Sequence, residues 1–298
     1  MGFIFLFLAK LAGIVKTICA KKCGVEAAGV KSSIKISLIR SFVCVLISSI
    51  VFLLDFEYVE TIGTGISLLS GLCNAMFLFL WLLAAERVSL CMLEIFCMVG
   101  SVVIPLILAP YLYVGEFILW YQWIAVGLLF LSMFFFFEKK IGNENDNRLT
   151  WGTFALLLGC AVSSAGILIT QKLYITYSRG NMAGFNFITF FVMALLFLVV
   201  SMTLKYNKKL ESESESGKGF PIKIYVLIII AAVMLYGNQV FTMQAVKYFD
   251  SGIFYPLSYA ITWPMLFLSD TLIFKEKMRI KKFLGLGIVI FATILICV

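Results

Sequence analysis

Apolar stretches long enough to cross a lipid bilayer follow one another through this sequence, and they constrain its fold more than any other feature. A transmembrane helix needs about 20 mostly apolar residues. That criterion predicts ten spans, because the stretches are too long and too continuously apolar for barrel strands. The predicted spans are Gly2–Ala20, Lys35–Leu54, Thr61–Ala85, Leu90–Val114, Ile118–Phe137, Trp151–Tyr177, Met182–Leu204, Ile222–Val246, Ser251–Phe274 and Phe283–Val298. We therefore expect an all-α integral membrane protein.

The composition excludes several classes of protein. Residues of the AVILMFWYC set make up 62% of the chain and charged residues 13%, against about 45–50% and about 25% in soluble domains. A water-soluble fold could not bury so much apolar surface, which excludes a soluble enzyme and a nucleic-acid-binding protein. The sequence has no histidine, so histidine-based triads, HExxH zinc sites and haem ligation by histidine are excluded too. No catalytic residue, metal site or cofactor is predicted.

The basic residues predict an orientation in the membrane. Of the 24 Lys and Arg residues, 18 fall in the loops that follow odd-numbered spans or at the span ends next to them, and only two fall in loops on the opposite face. The positive-inside rule then places the loops Glu138–Leu149 and Tyr206–Pro221 in the cytoplasm and both termini outside the cell. The predicted location is the plasma membrane, with the lipid bilayer as a partner.

The chain also looks duplicated, with residues 1–142 and 143–298 each holding five spans. The paired landmarks are Gly13 with Gly166, Glu116 with Glu276 and Gly127 with Gly287, while Pro105 falls one residue from the position equivalent to Pro264. An odd number of spans makes two copies point in opposite directions across the bilayer. This inverted-repeat arrangement is found in many secondary transporters.

Together with the ten spans and the duplication, the ending Leu272-Ile-Phe-Lys-Glu276 followed by Gly285-Leu-Gly287 resembles the drug/metabolite transporter superfamily, in its EamA-like ten-helix form. The resemblance implies movement, often export, of amino acids, other metabolites or drugs through a cavity lined by both repeats. Better-known members have both termini in the cytoplasm, whereas the charge bias here places them outside.

Charged residues inside spans are the first candidates for a site, because a charge at the bilayer centre costs ~2.5–3.5 kcal/mol on insertion scales. Lys10 shares a helix face with Gly13 and Thr17, so it is expected to point into the bundle and contact an anionic substrate group or a carboxylate. A snorkelling lysine is the alternative. Glu94 lies at the depth of Arg40, where it could take up protons or form a fixed pair with Arg40.

Five uncharged residues complete the predicted substrate-binding set, although such groups also hold neighbouring helices together. They are Asn74, Asn238, Gln239, Tyr259 and Trp263. Tyr259 and Trp263 stand four residues apart, on one helix face beside Pro264. A further pattern of small residues, Ser67, Gly71 and Ala75, predicts close helix packing on the third span.

These features predict a secondary-active transporter, an exporter of a small metabolite such as an amino acid, an organic cation or a drug-like solute, working by alternating access. The alternative is a non-transporting polytopic membrane protein, either an intramembrane enzyme or an adaptor. The sequence has no Gly-x4-Gly-Lys-Ser/Thr phosphate loop, which argues against an ATP-driven pump. A homodimer is left open.

Overall fold

The computed structural model describes residues 1–26, 30–55, 59–85, 88, 90–113, 115, 117–136, 151–178, 180–206, 220–272 and 280–297. Within those residues the chain forms ten helices and no strand, which confirms the all-α prediction for this part of the chain. The helices are α1 Gly2–Glu26, α2 Val30–Leu54, α3 Thr61–Ala85, α4 Leu90–Leu112, α5 Trp120–Phe136, α6 Trp151–Tyr177, α7 Met182–Tyr206, α8 Ile222–Val246, α9 Ser251–Leu272 and α10 Ile280–Cys297.

The ends of α3, α6 and α8 coincide with the predicted spans, and the largest differences are at α1 and α2. Helix α1 continues past Ala20 to Glu26, and α2 begins at Val30 rather than at Lys35. A helix satisfies its own backbone groups, so it can extend beyond the apolar layer, where long basic side chains reach water. The apolar window therefore underestimated these two helices at their basic ends.

Six helices in the described part of the chain, α1, α2, α3, α6, α7 and α8, are long and apolar enough to cross a membrane. The apolar parts of α4 and α5 are shorter, at Phe96–Leu112 and Trp120–Ser132. Helix α2 shows how its surface is divided, because Ser33, Ser37 and Ser41 are buried whereas Leu46 and Leu53 are exposed. Polar groups facing inward and large apolar groups facing outward are the pattern expected of a protein surrounded by lipid.

The helices pack in defined pairs around the centre of the molecule. Helix α1 lies against α8 and α9, α6 against α3 and α4, and α2 against α7 and α8. Helix α3 also contacts α7, helix α4 contacts α9, and α5 contacts α10. The cavity described below lies among α1, α2, α3, α4, α6, α7, α8 and α9.

Glycines let some of these helices approach very closely. A Cβ added at Gly71 in α3 would lie 2.8 Å from the Thr189 carbonyl oxygen of α7, and the Thr189 hydroxyl donates to the Ser67 carbonyl over 3.3 Å. This confirms that the small residues of the third span serve close packing. At Gly100 in α4, an added Cβ would overlap the backbone of Ala161 in α6.

Candidate functional site

A cavity of about 150 Å³ lies inside the helix bundle. Its polar lining residues are Lys10, Lys16, Thr17, Arg40, Asn74, Glu94, Ser101, Ser164, Gln171, Asn238, Thr242, Tyr259 and Thr262. The remaining wall is Gly13, Ile14, Ala20, Phe77, Leu78, Trp81, Cys97, Ile167, Leu168, Met193, Leu235 and Leu266. Drug-sized ligands occupy pockets of about 300–1,000 Å³, so this cavity suits a smaller molecule.

Two lysines of α1 bring positive charge to the cavity wall. The Lys10 ammonium lies 5.3 Å from the centroid of the Tyr259 ring, and the Lys16 ammonium lies 6.0 Å from that of Phe77. An aromatic face attracts a cation through its quadrupole, so it can hold a cation without a neighbouring negative charge. Both ammonium groups are therefore held at the wall by weak contacts that a stronger, anionic partner could replace.

Arg40 of α2 adds a third cation, and only 3% of its surface is exposed. No hydrogen-bond partner for its Nε lies among the residues that the structure describes. The neighbouring serines are engaged within their own helix, since the Ser41 hydroxyl donates to the Ser37 carbonyl over 2.7 Å. Arg40 thus lines the cavity as a buried cation whose guanidinium is not fully hydrogen-bonded within the described residues.

Glu94 of α4 is the carboxylate of the described lining. The Trp81 indole Nε1 donates to Glu94 Oε1 over 3.2 Å, which connects α3 to α4 at the edge of the cavity. A hydrogen bond to an ionised acceptor is stronger than one between neutral groups. Trp81 therefore helps to fix where the carboxylate points.

Uncharged groups of the lining also bridge helices. Asn238 Nδ2 of α8 donates to the Ala9 carbonyl of α1 over 2.6 Å, beside Gly13, whose missing side chain leaves the room for that amide. The Ser101 hydroxyl of α4 donates to the Ser164 hydroxyl of α6 over 2.7 Å. These bonds close the cavity wall at the α1–α8 and α4–α6 contacts.

Charge is divided unevenly around the cavity. Each charged group of the described lining lies on α1, α2 or α4, which belong to the first half of the chain. Helices α6, α8 and α9 supply Ser164, Gln171, Asn238, Thr242, Tyr259 and Thr262, which are all uncharged. The first half of the chain thus supplies the charges of the described lining and the second half supplies neutral polar groups, with Lys10 and Tyr259 in contact where the two sets meet.

Comparison with known proteins identifies the family. The EamA-like transporter family matches residues 150–298, which is half of the chain. The chain belongs to the EamA-like transporter family, within the drug/metabolite transporter superfamily. It is a multi-pass membrane protein. No curated protein matches the chain significantly. A solved structure described as "Crystal structure of protein" shares the fold, with a TM-score of 0.68, 12% identity, and coverage of 99% of this chain and 95% of the other.

Five of the seven predicted site residues of this EamA-like protein lie together on the cavity wall: Lys10, Asn74, Glu94, Asn238 and Tyr259. Gln239 and Trp263 do not line it. Gln239 follows Asn238 directly, and consecutive helical residues point about 100° apart. The Trp263 indole instead donates to Met98 Sδ over 2.6 Å, inside an apolar cluster with Val102 and Ala260.

Sequence reasoning did not assign Lys16, Arg40 or Gln171 to the cavity. Lys16 follows Gly13 by three residues and so shares its helix face at the cavity. Gln171 is 2% exposed, and its Oε1 has no hydrogen-bond partner within the described ranges. Across those ranges, no group of three His, Cys, Asp or Glu residues is placed to hold a metal ion.

Proposed function

We propose that this EamA-like protein is a secondary-active transporter of the plasma membrane that exports a small metabolite by alternating access. The observation that carries the proposal is a polar, charge-bearing cavity inside an apolar bundle, with lining residues from both halves of the chain. Substrate sites at the interface of two repeats near the bilayer midplane are the rule in such transporters.

The helix pairing supports an inverted repeat of residues 1–142 and 143–298. In a duplicated fold, each contact between two helices recurs when both helix numbers are shifted by five. The α1–α8 contact becomes α6–α3, α1–α9 becomes α6–α4, and α2–α8 becomes α7–α3, and each member of these pairs is present. The contacts α2–α7, α4–α9 and α5–α10 map onto themselves, as a two-fold axis requires.

The landmark residues fit the same relation as far as they are described. Gly13 of α1 faces Asn238 of α8, and its counterpart Gly166 of α6 faces Cys73 of α3. Gly127 and Gly287 both face open space. Glu116 and Glu276 lie outside the described residues. With five helices in each half, two copies related in this way are inverted across the bilayer.

The proposed orientation has both termini outside and the basic loops in the cytoplasm, and it rests on the 18-to-2 distribution of Lys and Arg. The polar lining favours a carrier over the non-transporting alternative. An adaptor needs no internal cavity and would be expected to have a packed apolar centre, whereas burying charged residues here without a function would be costly.

Alternating access is tested by labelling a cysteine introduced at Thr17, a nearly isosteric change at the cavity wall. On a cysteine-depleted background in proteoliposomes, an impermeant thiol reagent should modify Thr17→Cys from either side of the membrane, because the cavity opens to each side in turn. Asp55→Cys, at the exposed end of α2, is the control and should react from one side only. Leu46→Cys, on the exposed face of α2 that is expected to meet lipid, should react from neither side of the membrane.

Labelling of Thr17→Cys from a single side, with the Asp55→Cys control behaving as expected, would contradict a carrier. That result would favour an adaptor or an enzyme with a permanently one-sided pocket. The measurement needs no knowledge of the substrate.

A further inference from the structure

The charges of the cavity carry an inference about the class of solute, which rests on the proposed transport function. Lys10, Lys16 and Arg40 oppose a single carboxylate, Glu94, within the described lining. Charges removed from water interact strongly, and like charges left uncompensated are unfavourable. An anionic solute balances this excess, whereas a cationic solute increases it.

Arg40 supplies the clearest evidence that a ligand group is expected here. Its guanidinium is almost fully buried on the cavity wall, and its Nε has no partner within the described part of the chain. Buried polar groups in proteins are nearly always hydrogen-bonded. A guanidinium also presents planar, paired donors that match the two oxygens of a carboxylate.

The cavity also limits the size of the solute. An engineered cavity of about 150 Å³ holds benzene, and this cavity has about the same volume. The aromatic rings of Phe77 and Tyr259, at which the two lysines lie, offer apolar wall for the uncharged part of the solute. Gln171 of α6 adds a buried side-chain oxygen that lacks a hydrogen-bond partner among the described residues.

We propose that the solute is a small organic carboxylate of about six to ten non-hydrogen atoms, comparable to the occupant of other cavities of this volume. Its carboxylate binds Arg40, with Lys16 and Lys10 supplying further positive charge. The rest of the molecule lies toward the uncharged groups of α6, α8 and α9.

Isothermal titration of the purified full-length protein tests the charge of the ligand directly. Benzoate and hexanoate are the anionic probes, benzamide and hexanamide their neutral counterparts, benzylammonium the cation, and phenylphosphonate the alternative anion. Each carboxylate should bind at least about tenfold more tightly than its amide, and benzylammonium should bind least. Equal binding of acid and amide, tightest binding of benzylammonium, or no binding of either carboxylate at millimolar concentration would overturn the proposal. Tighter binding of phenylphosphonate would overturn the choice of a carboxylate.

Variants then locate the anion. Arg40→Met should weaken benzoate binding about tenfold or more while leaving benzamide unchanged, and Arg40→Lys should retain part of the preference. Glu94→Gln should strengthen benzoate binding, because it removes a like charge. Lys22→Met, at an exposed position of α1, is the matched control and should change nothing. If Arg40→Met does not fold, Lys16→Met takes its place, and wild-type binding of benzoate by either folded variant would contradict the assignment.

Failure of this inference is distinguishable from failure of the proposed function. Binding is measured without transport, and the labelling of Thr17→Cys does not depend on the charge of any solute. Two-sided labelling of Thr17→Cys with equal binding of acid and amide would support the carrier and contradict the carboxylate as its solute. One-sided labelling of Thr17→Cys with a clear preference for carboxylates would contradict the carrier and support the carboxylate site.

Discussion

Replacing Gly100 by alanine tests the closest helix contact described here. In α4, a Cβ at this position would overlap the carbonyl group and Cα of Ala161 in α6. These are backbone atoms, so no side-chain rotation can relieve the overlap, and the two helices would have to separate. The next residue, Ser101, carries the hydroxyl that donates to Ser164, so separation would also stretch this bond at the cavity wall.

The expected magnitude follows from two opposing effects. Adding atoms to a well-packed contact costs typically about 1–3 kcal/mol, and a clash confined to backbone favours the upper end. Alanine has a helix propensity about 1 kcal/mol better than glycine, which offsets part of that cost. Gly127 in α5 is the matched control, because an added Cβ there meets nothing within 4 Å. Since both variants share the propensity change, their difference reports the packing cost, about 3 kcal/mol at the upper end.

The assay is the free energy of unfolding in mixed detergent micelles, followed by helical circular dichroism, for wild type, Gly100→Ala and Gly127→Ala. Gly100→Ala should be less stable than wild type, and Gly127→Ala should equal or exceed it. Stabilities of the two variants within about 0.5 kcal/mol of each other, the range of ordinary surface substitutions, would refute the close approach of α4 and α6.

Two predictions concern topology and mechanism. On a cysteine-depleted background, Ser214→Cys in the Tyr206–Pro221 loop should resist impermeant labelling of intact cells while a C-terminal tag is accessible, and the opposite result would reverse the proposed orientation. Lys10→Met should sharply slow flux of a carboxylate that binds, while the melting temperature stays nearly unchanged. If Lys10 instead forms a buried structural ion pair, Lys10→Met should lower the free energy of unfolding by roughly 3–5 kcal/mol, and flux per folded protein should be preserved.

The helical fold was predictable from the sequence because hydrophobicity and segment length decide it. The ends of α3, α6 and α8 were found correctly, since polar residues or, at the start of α8, Pro221 bracket those apolar stretches. The apolar window failed at α1 and α2, where the helix continues among basic residues. Which helices would touch was not predictable, because polar residues can mark the inward face of a helix but do not identify the helix that packs against that face.

The candidate site was predictable only in part, for a related reason. Lys10 and Glu94 were singled out because their charges stand inside apolar spans, and both line the cavity. Arg40 was considered only as a partner of Glu94, because the predicted span began at Lys35 and placed it near a helix end. The observed start at Val30 puts Arg40 several turns into α2. Trp263 shows the converse limit, since sharing a face with Tyr259 did not bring it to the cavity.

The separation of charged and uncharged lining residues between the two halves has a consequence for how such proteins diversify. A substitution on α6, α8 or α9, except at Tyr259, whose ring the Lys10 ammonium contacts, can alter the fit to the body of the proposed solute without replacing the residues proposed to bind its charge. Under the proposed function, the second half of the chain can then accumulate changes in solute preference while Lys10, Lys16 and Arg40 maintain the preference for one chemical class. Related transporters that diverge mainly in this half would be expected to handle different members of one class of compound, and those that lose the basic residues of the first half would be expected to change class.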